Sequence, residues 1–130
     1  MISLVNKIKT ARQTALAVLE AVFSEGAYSN IALNQTLLEV PLSSADKGLV
    51  TEIVYGTVAR KITLEWYLSH VIENRDKLDS WLYILLLMSL YQIQYLDKIP
   101  AHAVVNEAVE LAKVRKKGSE KFANAVLRGL

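Results

Sequence analysis

Apolar and polar positions recur along most of this chain with the period of helices, and one stretch departs from that pattern. From Trp81 to Met88 every residue is apolar, and Ser89, Gln92 and Gln94 are the only fully polar positions before Asp97. A helix that is apolar on all sides cannot face water, so other helices must surround it. The run is shorter than the ~20 apolar residues needed to cross a bilayer. It predicts a buried central helix over about residues 79–96, with amphipathic helices packed around it.

The other segments supply those helices. Ile8, Ala11, Ala15, Val18, Leu19 and Val22 fall on one side of a helix predicted over residues 6–24, with Lys9, Gln13 and Glu20 opposite. Arg12 projects into the apolar arc, so either the arc overhangs the bundle there or Arg12 reaches a buried partner. After the turn Gly26-Ala27-Tyr28-Ser29, Ser29 or Asn30 is placed to cap a second helix with Ile31, Leu33, Leu37 and Leu38 inward. Pro41 closes it. Ser43 and Asp46 resemble a third helix start, continued by Leu49, Val50, Ile53, Val54 and Tyr55.

A glycine within a helical pattern costs about 1 kcal/mol relative to alanine, so Gly56-Thr57 predicts a kink or a close helix contact. Ile62, Leu64, Trp66, Leu68, Val71 and Ile72 then extend the apolar pattern, and residues 74–79 form a charged connection. Pro100 suits the first turn of a helix whose inner arc is Val104, Val105, Ala108, Val109, Leu111 and Ala112. Gly118 suits its end. Ser119 is placed to cap a last helix with Phe122, Ala125 and Val126 inward, and that pattern is still running at Leu130. It looks like a boundary inside a longer protein. No stretch keeps the period-2 alternation of a strand, so the fold class is all-α.

Composition adds limits. The 130 residues are 52% hydrophobic and 22% charged, which is the make-up of a folded globular chain. With no cysteine, the chain has no disulfide, thiolate metal site or cysteine nucleophile. The first residues lack the apolar core and cleavage site of a signal peptide, so the expected location is cytoplasmic. The net charge of +2 hides an asymmetry. Residues 1–12 carry three bases and no acid, residues 113–130 carry six bases and one acid, and 13–112 carry six bases and twelve acids. Two basic ends flanking an acidic body suggest a polyanionic partner, provided that folding gathers the ends together.

Catalytic chemistry is harder to find. His102 and Asn106 stand where a zinc-protease helix would carry two histidines, and His70 stands alone. Glu107 and Glu110 share a helix face as many solvated pairs do. The glycines are isolated, with no phosphate-cradling loop. Trp66 and Trp81 lie at core spacing and read as packing. For Arg60, Lys61 and the run from Lys113 to Lys117, solvated helix faces and C-cap lysines compete with phosphate contacts.

Two groups of motifs carry a family resemblance. IPAHAVVNEAVELAK (Ile99 to Lys113) and FANAVLRGL (Phe122 to Leu130) resemble the signature of NusB-like domains. GAYSNIALNQTL (Gly26 to Leu37) and LVTEIVYGTVARKITLEWYL (Leu49 to Leu68) resemble more specifically the N-terminal domain of the RsmB/Sun (Fmu) 16S rRNA (cytosine-5) methyltransferases. The resemblance implies a NusB-like RNA-binding domain over residues 5–130. It implies a catalytic domain downstream, absent from this chain, that binds S-adenosylmethionine and attacks cytosine with a cysteine. In stand-alone NusB proteins the start of the first helix is an arginine-rich RNA-binding segment. Lys9 and Arg12 match it here, with Lys7 just upstream, at a thinner charge.

The combined expectation is an accessory domain gripping small-subunit rRNA, with no catalytic, metal or cofactor residues of its own. Phosphate contacts are expected at Lys7, Lys9, Arg12, Arg60, Lys61, Lys116, Lys117 and Lys121. The other expected partner is the protein's own methyltransferase domain; a membrane or DNA partner is not expected. Two alternatives stand beside it: a NusB-type antitermination factor acting with a ribosomal protein, and an interdomain docking module that never touches RNA.

Overall fold

The structure, a computed structural model, describes residues 10–129. All regular secondary structure among them is helical, as the periodicity predicts. Seven α-helices are described: α1 (Ala11–Glu25), α2 (Ser29–Glu39), α3 (Ser44–Ala59), α4 (Lys61–Leu68), α5 (Ser80–Tyr95), α6 (Ala101–Arg115) and α7 (Glu120–Arg128). A 3-10 turn, Arg75–Lys77, precedes α5. The chain divides into two compact units, Met1–Tyr55 and Gly56–Leu130, and the boundary falls within α3.

In the first unit α1 packs on α2. The α1 helix starts later than the pattern suggested, because Thr10 caps it. Thr10 Oγ1 accepts from Gln13 N–H at 3.1 Å, and Gln13 Oε1 accepts from Thr10 N–H at 2.9 Å. This reciprocal pair satisfies two otherwise orphaned donors. Gly26 ends α1 at φ 76°, a left-handed conformation that a side chain would disfavour. In α2, Tyr28 and not Ser29 or Asn30 occupies the cap position, with no side-chain hydrogen bond. The inner face of α2 is also narrower than predicted. Leu33 is buried, while Ile31 and Leu38 are 51% and 88% exposed. At 100° per residue Ile31 lies on the far side of the helix from Leu33, so the apolar composition did not decide the face. The expected start of α3 holds: Ser43 Oγ accepts from Asp46 N–H at 3.1 Å.

The second unit is built on α5. Every residue from Leu82 to Gln92 is buried, and α4, α6 and α7 all pack against this helix. Each of its large apolar side chains contributes ~1.5–3 kcal/mol by leaving water. Gln92, 0% exposed, is kept satisfied by donating from Nε2 to Met88 O at 3.0 Å. The α3 helix runs through Gly56 without ending there. A Cβ at Gly56 would overlap the Cζ, hydroxyl and Cε1 atoms of Tyr91, so this glycine marks a close approach of α3 to α5.

The helices around α5 show how a strongly apolar segment sorts its faces. In α4 and the turn after it, Leu64, Leu68 and Ile72 are buried at four-residue spacing. Ile62 and Trp66, also four apart, emerge opposite at 84% and 58% exposed. Trp66 is therefore not a core residue, contrary to its reading by spacing. The α6 helix matches expectation: Val104, Val105, Ala108, Leu111 and Ala112 are buried, and His102, Asn106, Glu110 and Lys113 are exposed. In α7 the inner residues are Ala123, Val126 and Leu127, which leaves Phe122 and Ala125 exposed.

Candidate nucleic-acid interface

The cations predicted to meet phosphate fall into separate groups. Lys7 and Lys9 lie outside the described residues. Arg12, in the first turn of α1, is half-buried and engaged with its surroundings. Lys116 and Lys117 stand in the turn between α6 and α7, and Lys121 lies in the first turn of α7. Arg60 and Lys61 occupy the junction of α3 and α4.

The α6–α7 turn is shaped by backbone demands. The α6 helix ends at Arg115, Lys116 adopts an extended conformation, and Gly118 turns the chain at φ 103°. Ser119 does not cap α7 with its side chain, as the sequence suggested. Its hydroxyl instead donates to Ala112 O at 2.9 Å and Lys116 O at 2.7 Å, covering carbonyls at the end of α6. Glu120 takes up the adjacent donor, its Oε1 accepting from Gly118 N–H at 2.7 Å. Backbone N–H bonds from Glu120 itself and from Gly118 hold its carboxyl below the ordinary glutamate range.

This turn walls a cleft of about 260 Å³ that is also lined by Lys77, Leu78, Asp79 and Phe122. Three lysines, Lys77, Lys116 and Lys117, face one carboxylate there. Lys116 Nζ sits 3.0 Å from Asp79 Oδ2. Both partners are exposed, so the pair is worth at most ~1 kcal/mol and an incoming phosphate can compete for the lysine. Phe122, 37% exposed, adds an apolar ring beside these charges. Ammonium groups next to an accessible aromatic ring suit a nucleotide, whose phosphate and base ask for different partners. Sequence reasoning missed Lys77 and Phe122. Lys77 lies 39 residues before Lys116, and Phe122 was assigned to the core.

Arg60 belongs to a second place. Its guanidinium carbon lies 4.1 Å from the centroid of the Tyr95 ring. Tyr95 in turn stacks on Tyr91, with centroids 5.3 Å apart and planes 23° apart. Lys61 beside it is half-buried and engaged. Asp79 and Tyr95 mark opposite ends of α5. At 1.5 Å per residue the lysine cleft and the Arg60 stack are therefore ~20 Å apart, beyond the Debye length of ~8 Å at physiological salt. The lysine cleft and the Arg60 stack are thus two distinct cationic places, and the expected gathering of the two basic chain ends involves Lys7 and Lys9, which lie outside the described residues.

Two further cations, Arg75 and Arg115, are committed elsewhere. Arg75 Nη1 lies 2.9 Å from Glu65 Oε2, and its guanidinium covers the Tyr83 ring at 4.0 Å. Burial, reinforced by the Glu65 carboxylate, pushes the Tyr83 phenol up to about 12. It stays protonated and donates to Glu65 Oε2 at 3.3 Å. The guanidinium of Arg115 lies over Trp81 at 5.0 Å, so Trp81 is a cation's partner as well as packing. His70 and His102 are exposed, and among the described residues no three His, Asp or Glu side chains converge as a metal site would require.

Comparison with known proteins bears on this arrangement. Residues 9–130 match the model of the NusB family. A probable ribosomal RNA small subunit methyltransferase B of Bacillus subtilis is 42% identical over 125 residues, which are 95% of this chain and 28% of that protein. Its counterpart in Synechocystis is 36% identical over 121 residues, 92% of this chain and 27% of that protein. A transcription antitermination protein NusB of Listeria monocytogenes is 28% identical over 127 residues, 95% of each. The chain thus spans little more than a quarter of the methyltransferases it matches.

Proposed function

The chain belongs to the NusB family, and from that premise we propose that it is the N-terminal RNA-binding domain of an S-adenosylmethionine-dependent 16S rRNA cytosine-5 methyltransferase. The observation that carries this reading is the pattern of identity. Methyltransferases match at 42% and 36% over nearly the whole chain, against 28% for a stand-alone NusB. The domain's role is to hold small-subunit rRNA while the rest of the parent protein performs the methyl transfer. With no cysteine in its sequence, the chain supplies no thiolate for attack on the base. The methyl donor and that nucleophile belong to the catalytic part.

Phosphate attraction supplies the grip. Lys116, Lys117 and Lys121 work around the α6–α7 turn with Lys77 added, and Arg60 and Lys61 at the α3–α4 junction. Lys7, Lys9 and Arg12 are proposed contacts from the charge pattern. Fluorescence anisotropy with a small-subunit rRNA fragment across a salt series tests this. Engagement of four or five phosphates gives a log–log slope of about −3. Absence of binding at low salt, or binding indifferent to salt, refutes it, and the first outcome would favour a docking module.

The reciprocal 95% coverage of the Listeria protein favours a second reading, a stand-alone antitermination factor. The coding sequence after Leu130 separates the two. A cysteine-bearing methyltransferase domain supports the first reading, and a stop codon within a few residues supports the second.

A further inference from the structure

We propose that Arg60, set over the Tyr95 ring, is a stacking shelf for one unpaired RNA base. The inference rests on the RNA-binding reading above and goes beyond it, because it assigns Arg60 a planar contact and not only a charge.

The shelf is built from four residues in two rows. Gly56 and Arg60 lie four apart on α3 and the residue after it, and Tyr91 and Tyr95 lie four apart on α5. Residues at this spacing stand one above the other on a helix face. Gly56 lets the buried Tyr91 ring occupy space that a Cβ would fill. Tyr91 supports Tyr95 from below at 5.3 Å, and Tyr95 supports the guanidinium at 4.1 Å. Each layer positions the next, so Arg60 is held at low entropic cost although it is exposed.

A structural clamp between α3 and α5 would need only the inner face of the guanidinium. The outer face remains for something else. Among the described residues no carboxylate pairs with Arg60, in contrast to Arg75, which is held by Glu65. A guanidinium is planar and weakly hydrated, and its N–H fork can reach a phosphate while its face takes a ring. Unpaired bases stack on such planes, whereas paired bases are already stacked inside their helix. A lysine offers the same charge without the plane.

The test compares Arg60→Lys and Arg60→Ala with the unaltered chain. Each is titrated with an unpaired small-subunit rRNA oligonucleotide carrying 2-aminopurine and with a hairpin of equal length whose fully paired stem is closed by a non-nucleotide linker. Arg60→Lys should weaken binding of the unpaired strand about tenfold. It should also abolish the 2-aminopurine fluorescence change, leave hairpin binding unaltered, and preserve the salt slope because the charge is kept. Tyr95→Leu, which removes the support but keeps the arginine, should reproduce the tenfold loss.

If Arg60→Lys binds the unpaired strand as well as the unaltered chain does, and Arg60→Ala binds less tightly, Arg60 is a point charge and the shelf is overturned. Equal weakening toward strand and hairpin also overturns it. If the unaltered chain binds neither RNA at low salt, the RNA-binding reading itself fails, which is a separate result.

Discussion

Replacing Gly56 by alanine tests the packing on which the α3–α5 approach depends. The new methyl group would overlap three atoms of the Tyr91 ring. Tyr91 is 5% exposed and stacked on Tyr95, so its ring cannot swing into solvent without undoing that stack. Overpacking of a dense core costs ~1–3 kcal/mol, and an overlap of this depth belongs at the upper end. Against it, alanine is favoured over glycine within a helix by about 1 kcal/mol.

The difference predicts a net destabilisation of about 2 kcal/mol, or roughly 7 °C in Tm for a chain of this size. Thermal unfolding followed by circular dichroism measures it. The sign should reverse in a Tyr91→Leu background, where the shorter side chain no longer reaches the methyl group. There Gly56→Ala should stabilise by up to about 1 kcal/mol. Stabilisation by Gly56→Ala in the unaltered chain, or the same sign in both backgrounds, would refute the contact.

Other outcomes follow from individual groups. Thr57 Oγ1 is buried with no hydrogen-bond partner, so Thr57→Val should raise stability by about 1 kcal/mol, and a loss in denaturant midpoint would contradict that account. Tyr83 has a folded value near 12 against 10.0 for an ordinary phenol. Its contribution to stability is therefore intact below pH 10 and is lost as pH rises through 12. Absorbance titration at 295 nm should show Tyr83→Phe removing a tyrosinate transition near pH 12. Lys117→Ala should reduce the salt slope of RNA binding by about 0.7; an unchanged slope would remove Lys117 from the interface.

The amino-acid sequence by itself determined the helical class, the buried rod at α5 and the inner and outer faces of α6. These follow from local periodicity, and an all-apolar helix has only one environment in which it is stable. The glycine at position 56 was legible as a kink or a contact, and only the coordinates of Tyr91 decided between them. Tertiary structure also decided which apolar residues stay outside. Ile31, Leu38, Ile62, Trp66 and Phe122 carry the chemistry of core residues, yet their helices turn them outward because neighbouring helices cover only one stripe. The basic residues divide in the same way. Their number and their concentration at the chain ends were visible in the sequence. Pairing of Lys116 with Asp79, the entry of Lys77 into the same cleft and the placing of Arg60 on Tyr95 join residues about 35 or more positions apart. Charge along a chain is one-dimensional, and the potential that an RNA meets is set by where the backbone carries each group in space.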